Sequence, residues 1–259
     1  MNIGYTFPAS AIDFHGEICY TLAIIREKRC IWNVLDVSGF LKSAARLIYP
    51  ERCGFCGRII SPGSWICAEC HEEIDIIYCD GSVPEHLKNM GLDRVFYVGR
   101  YGGTARDGIL RLKRKRAFNA AKYFCSGLYD SIVQSGAVKD IDCVAYVPMS
   151  RRKRSANGYD QAEIIAEILA RSLGKELIHG AIRRTSTKSS QHSQKGFENR
   201  QKFAQKVYLP PERKLDLSGR TILLCDDVLT TGSSLSRCAA ILKEQGAKAV
   251  YAAALVSGK

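Results

Sequence analysis

Two adjacent acids followed by a loop of small hydroxyl residues are the part of this sequence best suited to chemistry. In "TILLCDDVLTTGSS", residues 221–234, the apolar run from Ile222 to Cys225 leads directly into Asp226 and Asp227. The apolar run predicts a buried strand, and open α/β sheets bind ligands at the carboxyl ends of their strands. We therefore expect the strand to end at the paired acids, and both carboxylates to face solvent and a ligand rather than the core.

The loop after the acids is suited to a phosphate group. Its members are Thr230, Thr231, Gly232, Ser233 and Ser234. Backbone N–H groups at the start of the following helix, together with the hydroxyls, would bind a phosphate monoester, and the glycine would let the backbone approach it closely. The paired acids would accept hydrogen bonds from vicinal hydroxyls. The pattern therefore predicts a ribose 5-phosphate group as the ligand, with an ordinary helix cap as the alternative.

Four cysteines form a second candidate site. The stretch "CGFCGRIISPGSWICAEC" contains two CxxC pairs separated by ten residues, namely Cys53, Cys56, Cys67 and Cys70. Four thiolates close a tetrahedral Zn²⁺ site that has no open position, so we predict a structural zinc ribbon that is separable from the rest of the chain. An iron–sulfur cluster and a redox pair are the alternatives.

The elements that must position these sites alternate between strands and helices. Extended, β-branched runs predict strands at 93–101, 142–149, 220–227 and 247–256, whereas apolar residues at helical spacing predict helices at 104–115, 119–134, 159–174 and 233–246. An amphipathic helix is expected just before the ribbon, and residues 185–200 read as a long polar loop. This alternation predicts an α/β fold with a parallel sheet.

Length and composition limit the class of protein. The 259 residues allow one large domain or a main domain with a small appendage, and we divide them into an unassigned extension (1–36), a helix plus zinc ribbon (37–80) and an α/β domain (90–259). No uncharged apolar run approaches the ~18 residues of a membrane span, and the N-terminal segment does not resemble a signal peptide. We expect a cytoplasmic protein without membrane insertion, for which residues 1–36 are dispensable.

The charge of the chain favours polyanionic partners. The formal net charge is +12, and the basic residues concentrate at 106–116 and 151–154 and more loosely at 183–206. Such fields attract nucleic acid, membrane surfaces or phosphorylated small molecules. A solvated basic surface is the alternative for any one cluster, so charge alone does not select the partner.

Taken together, these motifs resemble known families. Residues 222–234 resemble the 5-phosphoribosyl-1-pyrophosphate (PRPP) signature of type I phosphoribosyltransferases. The chain from about residue 45 onward is similar to the ComF family, competence-associated proteins that join an N-terminal zinc ribbon to a phosphoribosyltransferase domain. The matching segments, in family order, are "YPERCGFCG", "YGG" (101–103) with "ILRLKRKR", "VPMSRRKRSANGYDQAE", "RRTSTKSSQ" and the PRPP signature.

The resemblance implies a fold, a ligand and roles for residues. It implies a type I phosphoribosyltransferase-like parallel sheet flanked by helices, and PRPP bound with Mg²⁺. Asp226 and Asp227 would be the catalytic pair that holds the ribose diol, residues 149–161 would face the pyrophosphate, and residues 184–200 would form a hood. Candidate contacts to the pyrophosphate are Lys113, Arg151, Arg152 and Arg154, with Gln161 either a further contact or only the first residue of a helix.

The sequence also departs from the family pattern. Where the family often has Arg-Gly-Phe-Asn-Gln, this chain has "NGYDQ", so Asn157 replaces an arginine and Asp160 an asparagine. We expect this to remove a positive charge and add a negative one near the pyrophosphate. Phe203 stands near a position where asparagine is common, and the chain has one ribbon where many relatives have two.

Two classes of function follow from the resemblance. In the first, the protein is an enzyme that transfers phosphoribosyl from PRPP to an acceptor, or hydrolyses PRPP. In the second, it is a non-catalytic component of DNA uptake that binds single-stranded DNA and other uptake proteins. A zinc-ribbon adaptor for protein partners is a third, weaker interpretation.

Overall fold

A five-stranded parallel sheet forms the centre of the fold in the computed structural model, which describes residues 50–185 and 197–258. Its strands are β1 (Arg94–Tyr97), β2 (Cys143–Tyr146), β3 (Glu176–Leu177), β6 (Thr221–Leu229) and β7 (Ala249–Ser257), in the order β1-β7-β6-β2-β3. A short antiparallel pair, β4 (Arg183–Arg184) and β5 (Tyr208–Leu209), lies outside this sheet. The predicted parallel α/β fold is confirmed.

Helices near 104–115, 119–134, 159–174 and 233–246 match the predicted ones, whereas the helix at 151–157 was not predicted and residues 197–200, expected in the polar loop, are helical. The described residues contain seven α-helices in all. They are α1 (Ala68–Glu73), α2 (Gly103–Lys115), α3 (Phe118–Gln134), α4 (Arg151–Asn157), α5 (Gln161–Leu173), α6 (Phe197–Val207) and α7 (Ser233–Glu244). Gly174 ends α5 in a left-handed conformation with φ of 66°, as expected of a C-cap glycine. The helix predicted before the ribbon, and residues 186–196 of the polar loop, lie outside the described residues.

The two faces of the sheet bury separate cores because successive side chains of a strand point to opposite faces. Along β6, Leu223 and Cys225 join the core under α2, α3 and α5, whereas Ile222 and Leu224 join the core under α6 and α7. Phe203 of α6 belongs to the second core and is 7% exposed. Its apolar side chain therefore serves packing on the face opposite the cysteine module.

The cysteine module (residues 50–77) packs into the first core. Cys53 and Phe55 are buried there with Phe124 of α3, and a β carbon added at Gly54 would overlap the backbone of Ala120. Apolar burial of this kind is the main stabilising term in folding. The contacts argue against the expectation that the module is separable, while the proposed boundary between residues 80 and 90 stays a prediction.

The described helices also bear on membrane insertion. Among residues 50–185 and 197–258, no helix combines the length and the apolar character that a membrane crossing requires.

Candidate functional site

The paired acids lie in the part of β6 that extends beyond the end of its neighbour β2. The last register pair between the two strands is Tyr146 with Cys225, whereas β6 continues along β7 as far as Leu229. Asp226 and Asp227 therefore lie within the strand, three and two residues before its end, and the expectation that the strand ends on them is wrong. The reason is that β7 continues alongside β6, while the edge that β2 leaves open faces a cavity.

Both acids are largely enclosed rather than facing solvent. The Asp227 side chain is 18% exposed, and its Oδ2 lies 2.9 Å from Nζ of Lys113 on α2. Burial, the neighbouring charge of Asp227 and, more weakly, Asp160 raise the pKa of Asp226 to about 8. Burial lowers the pKa of Lys113, but attraction to Asp227 and Asp226 outweighs it, so the pKa of Lys113 is raised. Asp226 therefore holds a proton more readily than an ordinary aspartate, beside the ion pair of Asp227 and Lys113.

The predicted phosphate loop follows β6 and leads into α7. Gly232 is the N-cap residue of that helix with φ of 73°, a left-handed conformation that glycine adopts without cost. The Thr231 and Ser233 hydroxyl oxygens lie 3.0 Å apart. A β carbon at Gly232 would overlap Leu87 and lie 3.2 Å from the sulfur of Met90. The glycine is therefore required by packing against residues 87–90, and a side chain there would point to this core rather than fill the loop.

An open cavity of about 570 Å³ joins the acids to the loop. Its lining contains all seven residues of the predicted acid and phosphate sites, together with Lys113 and Gln161. It also contains cationic residues that the sequence analysis did not single out, namely Arg114, Lys153, Arg184 and Arg200. Such a concave site with polar groups on several sides is typical of a small-molecule site.

The basic run 151–154 contributes one residue to the cavity, and it is not one of those expected. Lys153 is in the lining, whereas the described lining does not include Arg151, Arg152 or Arg154. Arg154 instead pairs with Glu163, with Nη2 and Oε2 2.8 Å apart. Burial and the nearby charges of Arg184 and Lys113 lower the pKa of Lys153. Successive residues of a helix point in different directions, so α4 can direct Lys153 into the cavity while its three arginines point away from it.

Asp160 ties two walls of the cavity together. It is 3% exposed, and its two oxygens accept hydrogen bonds from the backbone N–H groups of Met149 (2.6 Å) and Ala162 (3.1 Å). It thereby caps α5 and fastens the segment after β2 to it. Burial raises the pKa of Asp160 despite these donors. The replacement of the family asparagine therefore has a structural role beyond adding a negative charge.

Gln161 lies in the same turn. It is 2% exposed, and its Nε2 has no hydrogen-bond partner among the described residues. Its place as the first residue of α5 matches the alternative interpretation of this residue. The unpaired amide leaves a ligand contact as a prediction.

The segments on either side of the hood meet at Tyr208. This residue is 1% exposed; Arg184 Nη1 donates to its hydroxyl at 3.1 Å, and the hydroxyl donates to Ser234 Oγ at 3.4 Å. The Arg184 guanidinium carbon lies 5.1 Å from the centre of the Tyr208 ring. Pairing of β4 with β5 brings these residues together, and a two-residue strand leaves no periodic signal in the sequence that would predict it.

The four cysteines of the module converge. Their sulfurs all lie within 4.8 Å of one another, and those of Cys56 and Cys67 are 3.7 Å apart. Four thiolates around zinc at ~2.3 Å would lie ~3.8 Å apart, so the spacing fits a tetrahedral ion. Although burial raises it, hydrogen bonding from the backbones of Cys56, Cys67 and Phe55 lowers the pKa of the Cys53 thiol to about 6. The cluster could hold a zinc ion.

Comparison with known proteins agrees with this geometry. Residues 159–259 match the phosphoribosyl transferase domain family. The chain is 24% identical over 208 residues to the DNA utilization protein YhgH of Escherichia coli, covering 76% of this chain and 86% of the relative. It is 20% identical over 215 residues to Competence protein F of Haemophilus influenzae, covering 77% and 93%. The chain therefore carries a phosphoribosyltransferase domain and is homologous to these proteins, which confirms the resemblance to the ComF family.

Proposed function

We propose that this homologue of the ComF and YhgH proteins binds PRPP with Mg²⁺ at the cavity beside β6 and holds a structural Zn²⁺ in its cysteine module. One observation carries the proposal. The paired acids of β6 and the hydroxyl loop 230–234 line a single cavity together with Lys113 and Lys153. A ligand with a phosphate, a diol and a further anionic group has complementary partners in each part of it.

The order of these partners supports one orientation of the ligand. The 5-phosphate would bind the backbone N–H groups and hydroxyls of 230–234 at the start of α7. Asp226 and Asp227 would accept hydrogen bonds from the ribose diol, directly or through metal-bound water. The group on the anomeric carbon would then face the segment after β2, because Pro148, Met149 and Lys153 also line the cavity. Lys153 would thus place a cation beside the pyrophosphate.

Chemistry in this arrangement is a matter of positioning and charge. Bound Mg²⁺ would neutralise charge on the pyrophosphate as it leaves. The cations that line the cavity favour the anionic leaving group, and the enclosed acids favour a ribose ring that gains positive character. We propose the acceptor only as a class: a nitrogen base or water.

The names of the relatives suggest the process that the protein serves. One is called a DNA utilization protein and another a competence protein, and we extend to this chain a role in the uptake or use of DNA. Incubation with PRPP and Mg²⁺, with and without candidate bases, tests the enzymatic form of the proposal by pyrophosphate release. Calorimetry with PRPP and Mg²⁺ tests binding alone. No heat of binding for the wild type would contradict the proposal.

A second candidate function is that of a non-catalytic component that binds single-stranded DNA. The observation that favours it is the exposure of Lys115, Arg116, Arg151 and Arg152, cations that are not in the described lining of the cavity. For single strands, log affinity falls by about 0.7 per phosphate contact for each decade of salt. Alanine at Lys115 and Arg152 should reduce this slope without changing PRPP affinity. A chain that binds no single-stranded DNA at low salt would exclude this candidate.

A further inference from the structure

Helix α2 has two faces that meet different parts of the molecule. Gly108 and Arg111, three residues apart and hence on one side of the helix, meet the cysteine module. On the opposite side, Leu110 and Lys113 line the cavity. One helix of 13 residues therefore joins the predicted zinc module to the ligand site.

One contact on the module side is between Phe55 and Gly108. Phe55 lies between Cys53 and Cys56 in the chain and is 1% exposed. Its ring packs edge-on against the Phe124 ring of α3, with ring centroids 5.4 Å apart. A β carbon at Gly108 would overlap the Phe55 ring. The Phe55 ring thus lies between α2 and α3, and its position sets how closely α2 can approach the cysteine module.

Two further contacts hold α2 against the module. The Arg111 guanidinium covers Gly57, where a β carbon would overlap it. Thr104, in the first turn of α2, donates its hydroxyl proton to Glu73 at the end of α1. With Phe55, these contacts are spread along the helix from Thr104 to Arg111.

We propose that the cysteine module is a positioning element for the ligand site, in which Phe55 acts through α2 to hold Lys113 against Asp227. This inference rests on the proposed function of the cavity. Phe55 lies between two of the four sulfurs that would share one ion, so bound metal restrains the backbone on both sides of the ring. The Lys113–Asp227 contact of 2.9 Å would exceed the range of a side-chain hydrogen bond if the helix moved away by about an ångström.

The first test is a pair of matched glycine variants in full-length, zinc-loaded protein. Gly108→Ala leaves every cysteine and every cavity residue unchanged but displaces Phe55 from α2. Gly127→Ala, in the adjacent α3, places its methyl group at an ordinary contact distance of 3.4 Å from Val98. We expect Gly108→Ala to retain zinc and to bind PRPP about tenfold more weakly, and Gly127→Ala to bind as the wild type. Equal PRPP affinity in both variants would overturn the inference.

The second test asks whether the effect passes through Lys113. A double-mutant cycle combines Gly108→Ala with Lys113→Met. If Phe55 acts through Lys113, Gly108→Ala weakens PRPP binding in the wild type but has no further effect in the Lys113→Met background. A merely structural role would give the same factor in both backgrounds and would contradict the inference.

A ligand-free readout separates this inference from the proposed function. Removal of zinc by a chelator, and Gly108→Ala, should each speed amide hydrogen exchange over residues 109–114. Unchanged exchange in both would overturn the inference even if PRPP binds. Absence of PRPP binding by the wild type would overturn the proposed function, and with it the effect on affinity that is inferred here.

Discussion

At the scale of single residues, we expect the charge state of Asp226 to govern binding at the site. Burial and Asp227 raise its pKa to about 8, far above the ordinary value of about 3.9. A protonated carboxyl is a poorer acceptor for the ribose diol, so affinity for PRPP with Mg²⁺ should rise with pH up to about 8 and then level off. Calorimetry between pH 6 and 9 measures this, and Asp227→Asn should move the midpoint to lower pH. A flat profile in the wild type would contradict the assigned charge state.

The same raised pKa has a consequence for stability with a definite sign. The folded state binds a proton at Asp226 that the unfolded state has released, so this contribution falls as pH rises from about 4 to about 8. Asp226→Asn removes the titrating group. The difference in melting temperature between this variant and the wild type should therefore shift in favour of the variant over that range. A difference independent of pH would show that Asp226 stays ionised.

Asp160 offers a residue-scale test of the cavity wall. Its two oxygens accept from Met149 and Ala162, and an asparagine can accept only one of these hydrogen bonds in the same place. Asp160→Asn should lower the free energy of unfolding by about 1–3 kcal/mol, because one buried N–H loses its partner. Asp142→Asn is the control. Asp142 precedes β2 and accepts a hydrogen bond from the Thr221 N–H at the start of β6, but it is exposed. Its substitution should therefore lower the free energy of unfolding by less. Chemical denaturation compares the two.

At the scale of elements, two glycines allow the cost of a left-handed backbone conformation to be measured apart from the cost of overpacking. Gly232 and Gly136 both have φ of 73°, but a β carbon would overlap Leu87 only at Gly232, since nothing lies within 4 Å at Gly136. Gly136→Ala should cost about 1–2 kcal/mol of folding free energy, the penalty of the left-handed conformation. Gly232→Ala should cost more, and Leu87→Ala should relieve part of the excess. Equal costs, measured by denaturation, would mean that residues 87–90 yield freely.

Element-scale features were predictable wherever a period or a spacing carried the signal. Helical spacing located α2, α3 and α5, an apolar run located β7, and the CxxC spacing located the module. The length of β6 was not predictable, because continuation through the acids depends on β7, a partner distant in sequence. Which of the four basic residues 151–154 lines the cavity likewise depends on how α4 packs beside it. The sequence of the run does not predict that this residue is Lys153.

At the scale of the whole molecule, the shared core predicts one unfolding transition rather than two. Cys53, Phe55 and Cys70 are buried with the residues of α2 and α3. Cys56→Ser should release zinc and lower the melting temperature of the entire described fold, since metal binding contributes to folding. Calorimetric melting of the variant beside the zinc-loaded wild type measures this. Two separate transitions in the variant, with the upper one unchanged from the wild type, would show that the cysteine module unfolds independently.

The strand order has a consequence for synthesis on the ribosome. In the described sheet, β6 and β7 lie between β1 and β2, yet both are translated after them. Until they emerge, β1 and β2 have no strand between them, and their unpaired edges are open to neighbouring chains. Residues 94–97 pair with residues 251–254, which are made near the end of synthesis. The open edges of β1 and β2 therefore need protection for most of the elongation of the chain. The acids of β6 are placed only when this gap closes, so a prematurely terminated chain has no ligand site and cannot sequester ligand.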